Sequence, residues 1–175
     1  MPNATTILHL DTFHRIGEAL SSLRPEARKP DTKLAWYLPG FTGKSRVSTL
    51  FGDLPIEALR QRDDLRTYSG AAARVQLVDR IHLEGDFLRS QQSALPLRIP
   101  ANAFGPGRPS QDMLISPGQE ICADAHIATR FQKAMELRDR FNPDLSLSSG
   151  FTYYRFHCGA PTIVKVDGLW VRVSP

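Results

Sequence analysis

From about residue 40 onward, apolar positions alternate with polar ones over short runs. Alternation sends successive side chains to opposite faces of a strand. The pattern predicts strands over 45–51, 65–68, 73–83, 96–99, 112–116 and 151–156, punctuated by Gly52-Asp53, Ser69-Gly70 and a Gly/Pro-rich loop over 101–109. The clearest unit lies at the end. Thr162–Val166 and Leu169–Val173 flank Asp167-Gly168, a two-residue turn suited to a type I′ hairpin. Two stretches break the alternation. Phe13, Ile16, Leu20 and Leu23 recur at helical spacing, with Asp11 or Thr12 as cap and Pro25 as stop. A polar linker over 25–31 and an apolar piece over 34–39 follow. The second stretch, 124–141, carries Ile127, Phe131, Ala134, Met135 and Phe141 at helical intervals. Asp124 would cap it, Arg138 and Arg140 suit its last turn, and Asn142-Pro143 ends it. The expected architecture is a mostly β domain over 40–175, a helical lead-in and linker over 1–39, and one inserted amphipathic helix over 124–141. That helix is also the candidate contact surface for a protein partner.

Composition sharpens this picture. Thirteen prolines and twelve glycines in 175 residues imply many turns, which favours β structure over a helical bundle. The net charge of +4 is carried by bases interleaved with acids, as in Arg60-Gln61-Arg62-Asp63-Asp64, so no basic stripe of the kind nucleic acid demands is present. No apolar run approaches the ~18 residues that span a bilayer. The N-terminus has neither a basic start nor an apolar core, so the chain reads as cytoplasmic, without a signal peptide. Two cysteines, Cys122 and Cys158, are too few for a disulfide scaffold and read as reduced thiols, with one bridge possible if their strands are neighbours.

The chemistry-bearing feature is the run over 40–59: Gly40-Phe41-Thr42-Gly43-Lys44-Ser45-Arg46-Val47-Ser48-Thr49-Leu50-Phe51-Gly52-Asp53-Leu54-Pro55-Ile56-Glu57-Ala58-Leu59. A second block runs through Gly105-Pro106-Gly107-Arg108-Pro109 into the apolar Asp112-Met113-Leu114-Ile115-Ser116-Pro117-Gly118-Gln119. Together, and in this order, they resemble the two conserved blocks of the Hint module shared by hedgehog C-terminal domains and inteins. The resemblance covers roughly 40–116 and, loosely, the last hairpin. It implies a β fold built for self-processing, in which a Cys or Ser attacks the peptide bond before it. A Thr/Ser and a His of the second block polarise and protonate that bond. An imidazole suits this because its pKa lies near neutral.

Carried over residue by residue, the resemblance puts Gly40 at the nucleophile, Ser116 at the Thr/Ser and Gln119 at the His. Glycine has no attacking atom, and an amide exchanges no proton near neutral pH. The family's further histidine, before the last strand pair, falls at Pro161 or at nearby His157. The ending Arg172-Val173-Ser174-Pro175 lacks the His-Asn of an intein. Thr42 is the fallback nucleophile. Ser45 is a second nearby hydroxyl, read with Thr42 as ordinary turn and strand residues displaced from the reacting carbonyl.

Other constellations fall short. Gly40 to Ser45 mimics a phosphate loop, but Leu38 stands where that motif needs glycine and a strand follows, so no nucleotide cofactor is expected. Cys122, His126, His157 and Cys158 hold metal-binding atoms at poor spacing; adjacent strand residues face opposite ways. His9, His14 and His82 have no partner pattern, and Asp63-Asp64 and Asp79 read as turn and surface acids. Three functions stay open: a Hint module without self-processing that acts as a structural or interaction module; an autoprocessing domain cleaving between Pro39 and Gly40 or between Phe41 and Thr42; and, on the positive charge alone, a nucleic-acid-associated accessory protein.

Overall fold

Short alternating runs separated by turn residues become strands where their N–H and C=O groups find partners far away in sequence. The computed structural model describes residues 36–124 and 130–175. The helix expected over 13–23 and the linker over 25–31 lie outside the described residues. The chain divides into two units, Met1–Thr32 and Lys33–Pro175, and the strands belong to the second. In chain order they are β1 Phe41–Thr42, β2 Arg46–Thr49, β3 Gly52–Pro55, β4 Asp64–Arg66, β5 Ala72–Arg74, β6 Leu77–Glu84, then a one-and-a-half-turn helix α1 Gly85–Ser90. They continue with β7 Leu97–Ile99, β8 Met113–Ile115, β9 Glu120–Ile121, β10 Gln132–Lys133, β11 Gly150–His157, β12 Thr162–Val166 and β13 Leu169–Val173.

The strands form two sheets. One is five-stranded in the order β6-β11-β1-β8-β7. The other is eight-stranded in the order β10-β9-β13-β12-β2-β4-β5, with β3 paired to β2. All pairings are antiparallel. The fold is mostly β, as the alternation predicts. The final hairpin has the expected register, Val166 opposite Leu169 and Thr162 opposite Val173. Asp167 and Gly168 both take the left-handed conformation that a type I′ turn requires, at φ 47° and 80°.

Residues 73–83 form two strands where the alternation predicts one. At Val75 the backbone N–H donates to the Asp63 carbonyl and the carbonyl accepts from the Arg62 N–H, within the larger sheet. At Gln76 the N–H already donates to the His157 carbonyl of β11. The chain therefore changes sheets between two consecutive residues, and the buried Val75 marks the crossing.

The helix expected over 124–141 does not form across the described part of that stretch, 130–141. Gln132 and Lys133 pair with Ile121 and Glu120 as β10, and Ala134–Leu137 is a short 3-10 segment. The Ala134 N–H donates to the Gln119 carbonyl and the Met135 N–H to the Pro117 carbonyl, both at 2.9 Å. An α-helix would need those donors for its own ladder. Ala134, Leu137 and Phe141 are buried all the same, while Phe131 and Met135 are only half-buried. The apolar spacing is real, but strand and turn satisfy it.

The main core draws on both sheets, with Phe41, Ile115, Val47, Ile121, Val164 and Val171 among its buried members. A smaller cluster around α1 gathers Leu83, Leu88, Ala94, Leu95, Phe151 and Tyr153. The loop over 101–111 is fastened to the final hairpin. Ser110 donates its N–H to the Asp167 carbonyl at 2.7 Å, Gln111 donates to Asp167 Oδ1 at 3.0 Å, and a Cβ on Gly168 would overlap the Gly107 carbonyl.

Candidate functional site

The site is assembled where β1 runs between β11 and β8. Phe41 stands opposite Tyr154 on one side and Ile115 on the other. Its ring is buried in the main core and stacks on Phe156 at 6.2 Å. Alternation sends Gly40 and Thr42 to the opposite face. Gly40 is buried. A Cβ there would stand 3.2 Å from Tyr153 Cβ, a tight fit. Its carbonyl accepts the Ser116 N–H at 2.9 Å. The structure thus brings Gly40 and Ser116 together, although 76 positions separate them in sequence (116 − 40).

Ser116 follows β8 and is fully buried. Its Oγ donates to the Leu38 carbonyl at 2.5 Å and accepts from Trp36 Nε1 at 3.0 Å. The Gly118 N–H points to the same oxygen at 3.4 Å. A hydroxyl has one donor and two acceptor positions, so its capacity is used in full. The carbonyl it grips lies one peptide upstream of the bond between Pro39 and Gly40.

Gln119, also buried, donates through Nε2 to the Arg172 carbonyl at 2.7 Å and to the Glu120 carbonyl at 3.2 Å. Both amide hydrogens are committed to backbone, which makes Gln119 a brace between β9 and β13. A tight cleft of about 10 Å3 nevertheless brings Gln119 and His157 against Pro39, with Phe41, Phe156 and Val173 as apolar walls. His157 is half-buried. Its Nδ1 accepts the Gly159 N–H at 3.1 Å, which leaves the neutral ring's proton on Nε2. Pro161 is exposed and lines no part of this cleft. Of these two residues, only His157 lines the cleft with Pro39.

Thr42 is half-buried and its carbonyl accepts the Ser45 N–H. Ser45 is buried in the turn that leads into β2, so the phosphate-loop look-alike opens a strand. Cys122 and Cys158 are not bridged to each other. His126 lies outside the described residues. Asp64 pairs with Arg74 at 2.9 Å and Asp79 with Arg155 at 3.5 Å, so each of these acids faces a base. His82 is exposed and bonds Thr152.

Three contributors escaped sequence reasoning. Trp36 lies in the apolar piece before the junction, stacked on Tyr153 at 6.2 Å and edge-on to Phe87 at 6.1 Å. Gly118 is buried, and a Cβ on it would overlap the backbone of Tyr37 and Leu38. Tyr153 is fully buried with its phenol donating to the Ala94 carbonyl at 2.9 Å. Burial pushes that phenol well above its ordinary pKa, so it stays neutral. The alternation over 151–156 carried a signal for Tyr153; nothing local carried one for the other two.

A family model described as Hint domain matches residues 39–172. No curated protein matches the chain. Among solved structures, the crystal structure of the MchDnaB-1 intein aligns with a TM-score of 0.47 at 8% identity, over 77% of this chain and 99% of that chain. A variant of the same intein aligns over the same shares with a TM-score of 0.44, also at 8% identity. Among the described residues, no helix is long and apolar enough to cross a membrane.

Proposed function

The chain belongs to the Hint domain family, and on that premise we propose that it is a member without self-processing, whose fold serves as a structural module holding the polypeptide that runs into it. The observation that carries this reading is Gly40 at the attacking position, with no side-chain atom to form an ester or thioester. Its surroundings support the same reading. Gln119, at the position of the proton-shuttling histidine, spends its amide on two backbone carbonyls. Ser116 holds the carbonyl of Leu38, one peptide upstream of the junction. Proline before the junction stiffens the approach.

The test is the intact mass of freshly expressed protein tagged at both ends, with and without dithiothreitol or hydroxylamine. The expected result is one full-length species under every condition. Fragments ending at Pro39 or Phe41, lost on Thr42→Ala, would overturn the reading and make this an autoprocessing domain.

A further inference from the structure

We infer that the groove formed by Ser116, Gly118, Tyr153 and Phe87 is a peptide-binding site for an extended Trp-x-x-Pro segment, and that residues 36–39 of the chain occupy it in cis. This deepens the holding role proposed above, and rests on it, by naming what is held. The four residues divide into those the groove reads and those it does not. Trp36 is the anchor: its ring lies on Tyr153 and Phe87 against the cluster around α1, and its indole N–H reaches Ser116. At Leu38 the backbone is read, through the carbonyl that accepts from Ser116 Oγ. The Leu38 side chain is 41% exposed and Tyr37 is 59% exposed, so neither of those side chains is selected by burial. Lys133 Nζ stands 5.0 Å from the Tyr37 ring centroid, a contact many aromatic residues would satisfy. Pro39 forms one wall of the small cleft whose other walls include Gln119 and His157.

Gly118 explains why a backbone fits here at all. With no side chain it lets the carbonyls of Tyr37 and Leu38 pass where any Cβ would overlap them. The segment belongs to neither sheet, and among the described residues no backbone-to-backbone hydrogen bond reaches 36–39. It is held as a ligand is held, by one half-buried aromatic anchor and one hydrogen-bonded carbonyl. Being tethered, it sees the groove at an effective concentration that a free peptide seldom matches. The groove is therefore closed to other polypeptides until this segment is lifted.

The experiment uses the full chain carrying Trp36→Gly, Tyr37→Gly and Leu38→Gly, with a fluorescently labelled peptide Ala-Trp-Tyr-Leu-Pro-Gly as probe. Saturable binding is expected for the triple variant, at least about tenfold tighter than for the wild-type chain. Replacing the peptide's tryptophan by alanine should weaken binding at least about tenfold. A folded triple variant that ignores the peptide, or binds the tryptophan-free peptide equally well, overturns the inference. A second variant covers failure of the first to fold. In a Trp170→Phe background, Gly118→Val should expel the segment and shift Trp36 emission to that of a solvent-exposed indole. Unchanged emission in a natively melting chain overturns the inference too. Intact mass on the same samples separates the two readings. A cut at Pro39 overturns the holding module, whereas full-length chains without peptide binding overturn the groove alone.

Discussion

Two buried polar side chains organise the site, and each can be tested alone. Ser116 satisfies the Trp36 indole and the Leu38 carbonyl with one hydroxyl. Ser116→Ala removes both bonds and should lower stability by about 1–3 kcal/mol in urea unfolding. Gln119→Leu leaves the Arg172 carbonyl of β13 without its side-chain donor and should cost about the same. The second variant also bears on function. If Gln119 is only a brace, Gln119→Leu should give a single full-length species, as the unaltered chain is expected to do. A change in processing on this substitution would give Gln119 a chemical role.

At the scale of elements, the final hairpin couples stability to pH. Asp167 is buried in its turn, and burial raises its carboxyl pKa above the ordinary 3.8, partly offset by the Arg46 N–H donating to Oδ1 at 2.9 Å. Oδ2 has no partner. A raised acid pKa means that the folded chain binds more protons than the unfolded one between the two values. Its stabilisation is present in full below about pH 4 and is lost as pH rises through the folded value. Asp167→Asn keeps an acceptor for Arg46, suits the left-handed backbone and cannot ionise. The urea midpoint of the wild type should therefore fall relative to the variant as pH rises from about 3 to 8. Parallel curves would show that Asp167 does not titrate with folding. The stretch over 130–141 supplies a second element-scale test. Phe131 is half-buried, with the Arg172 guanidinium 4.3 Å from its ring centroid. Phe131→Ala should cost about 1–2 kcal/mol, below the ~3–5 of a fully buried ring. A loss in the higher range would make this ring part of the core.

For the β domain as a whole, the crossing at residues 75 and 76 ties the sheets together. Val75 is buried where the chain leaves β5 of one sheet for β6 of the other. The main core also takes side chains from both sheets. Such a unit should open cooperatively. Val75→Ala, at a cost of about 2 kcal/mol, should reduce the hydrogen-exchange protection of the slowest amides in both sheets alike. If only one sheet responds, the two open independently. Acid acts on the surface in the sense opposite to Asp167. The Arg74 guanidinium holds Asp64 low, and the Ala101 N–H and Arg98 hold Asp112 low. Their stabilisation is present above the ordinary carboxylate range and is lost as pH falls through the folded values. Asp112 is exposed and Asp64 only half-buried, so this limb is small and screened by salt.

What the sequence determined by itself is local in origin. Alternation along 40–175, the Asp167-Gly168 turn and the register of the last hairpin follow from side-chain period and turn chemistry, which neighbouring residues settle among themselves. The glycine at position 40 and the glutamine at 119 were legible for the same reason, each standing within a contiguous block. Tertiary structure decided the rest, because the deciding partners are distant in sequence. The N–H groups of Ala134 and Met135 go to the carbonyls of Gln119 and Pro117, so a helical spacing becomes a strand and a turn. The donors and acceptors at Val75 and Gln76 split one alternating run between two sheets. No local pattern announces that Gly118 must be bare where Tyr37 and Leu38 pass, or that the Trp36 indole ends on Ser116, 80 residues away. Periodicity fixes which face a side chain takes, whereas only packing fixes what that face meets.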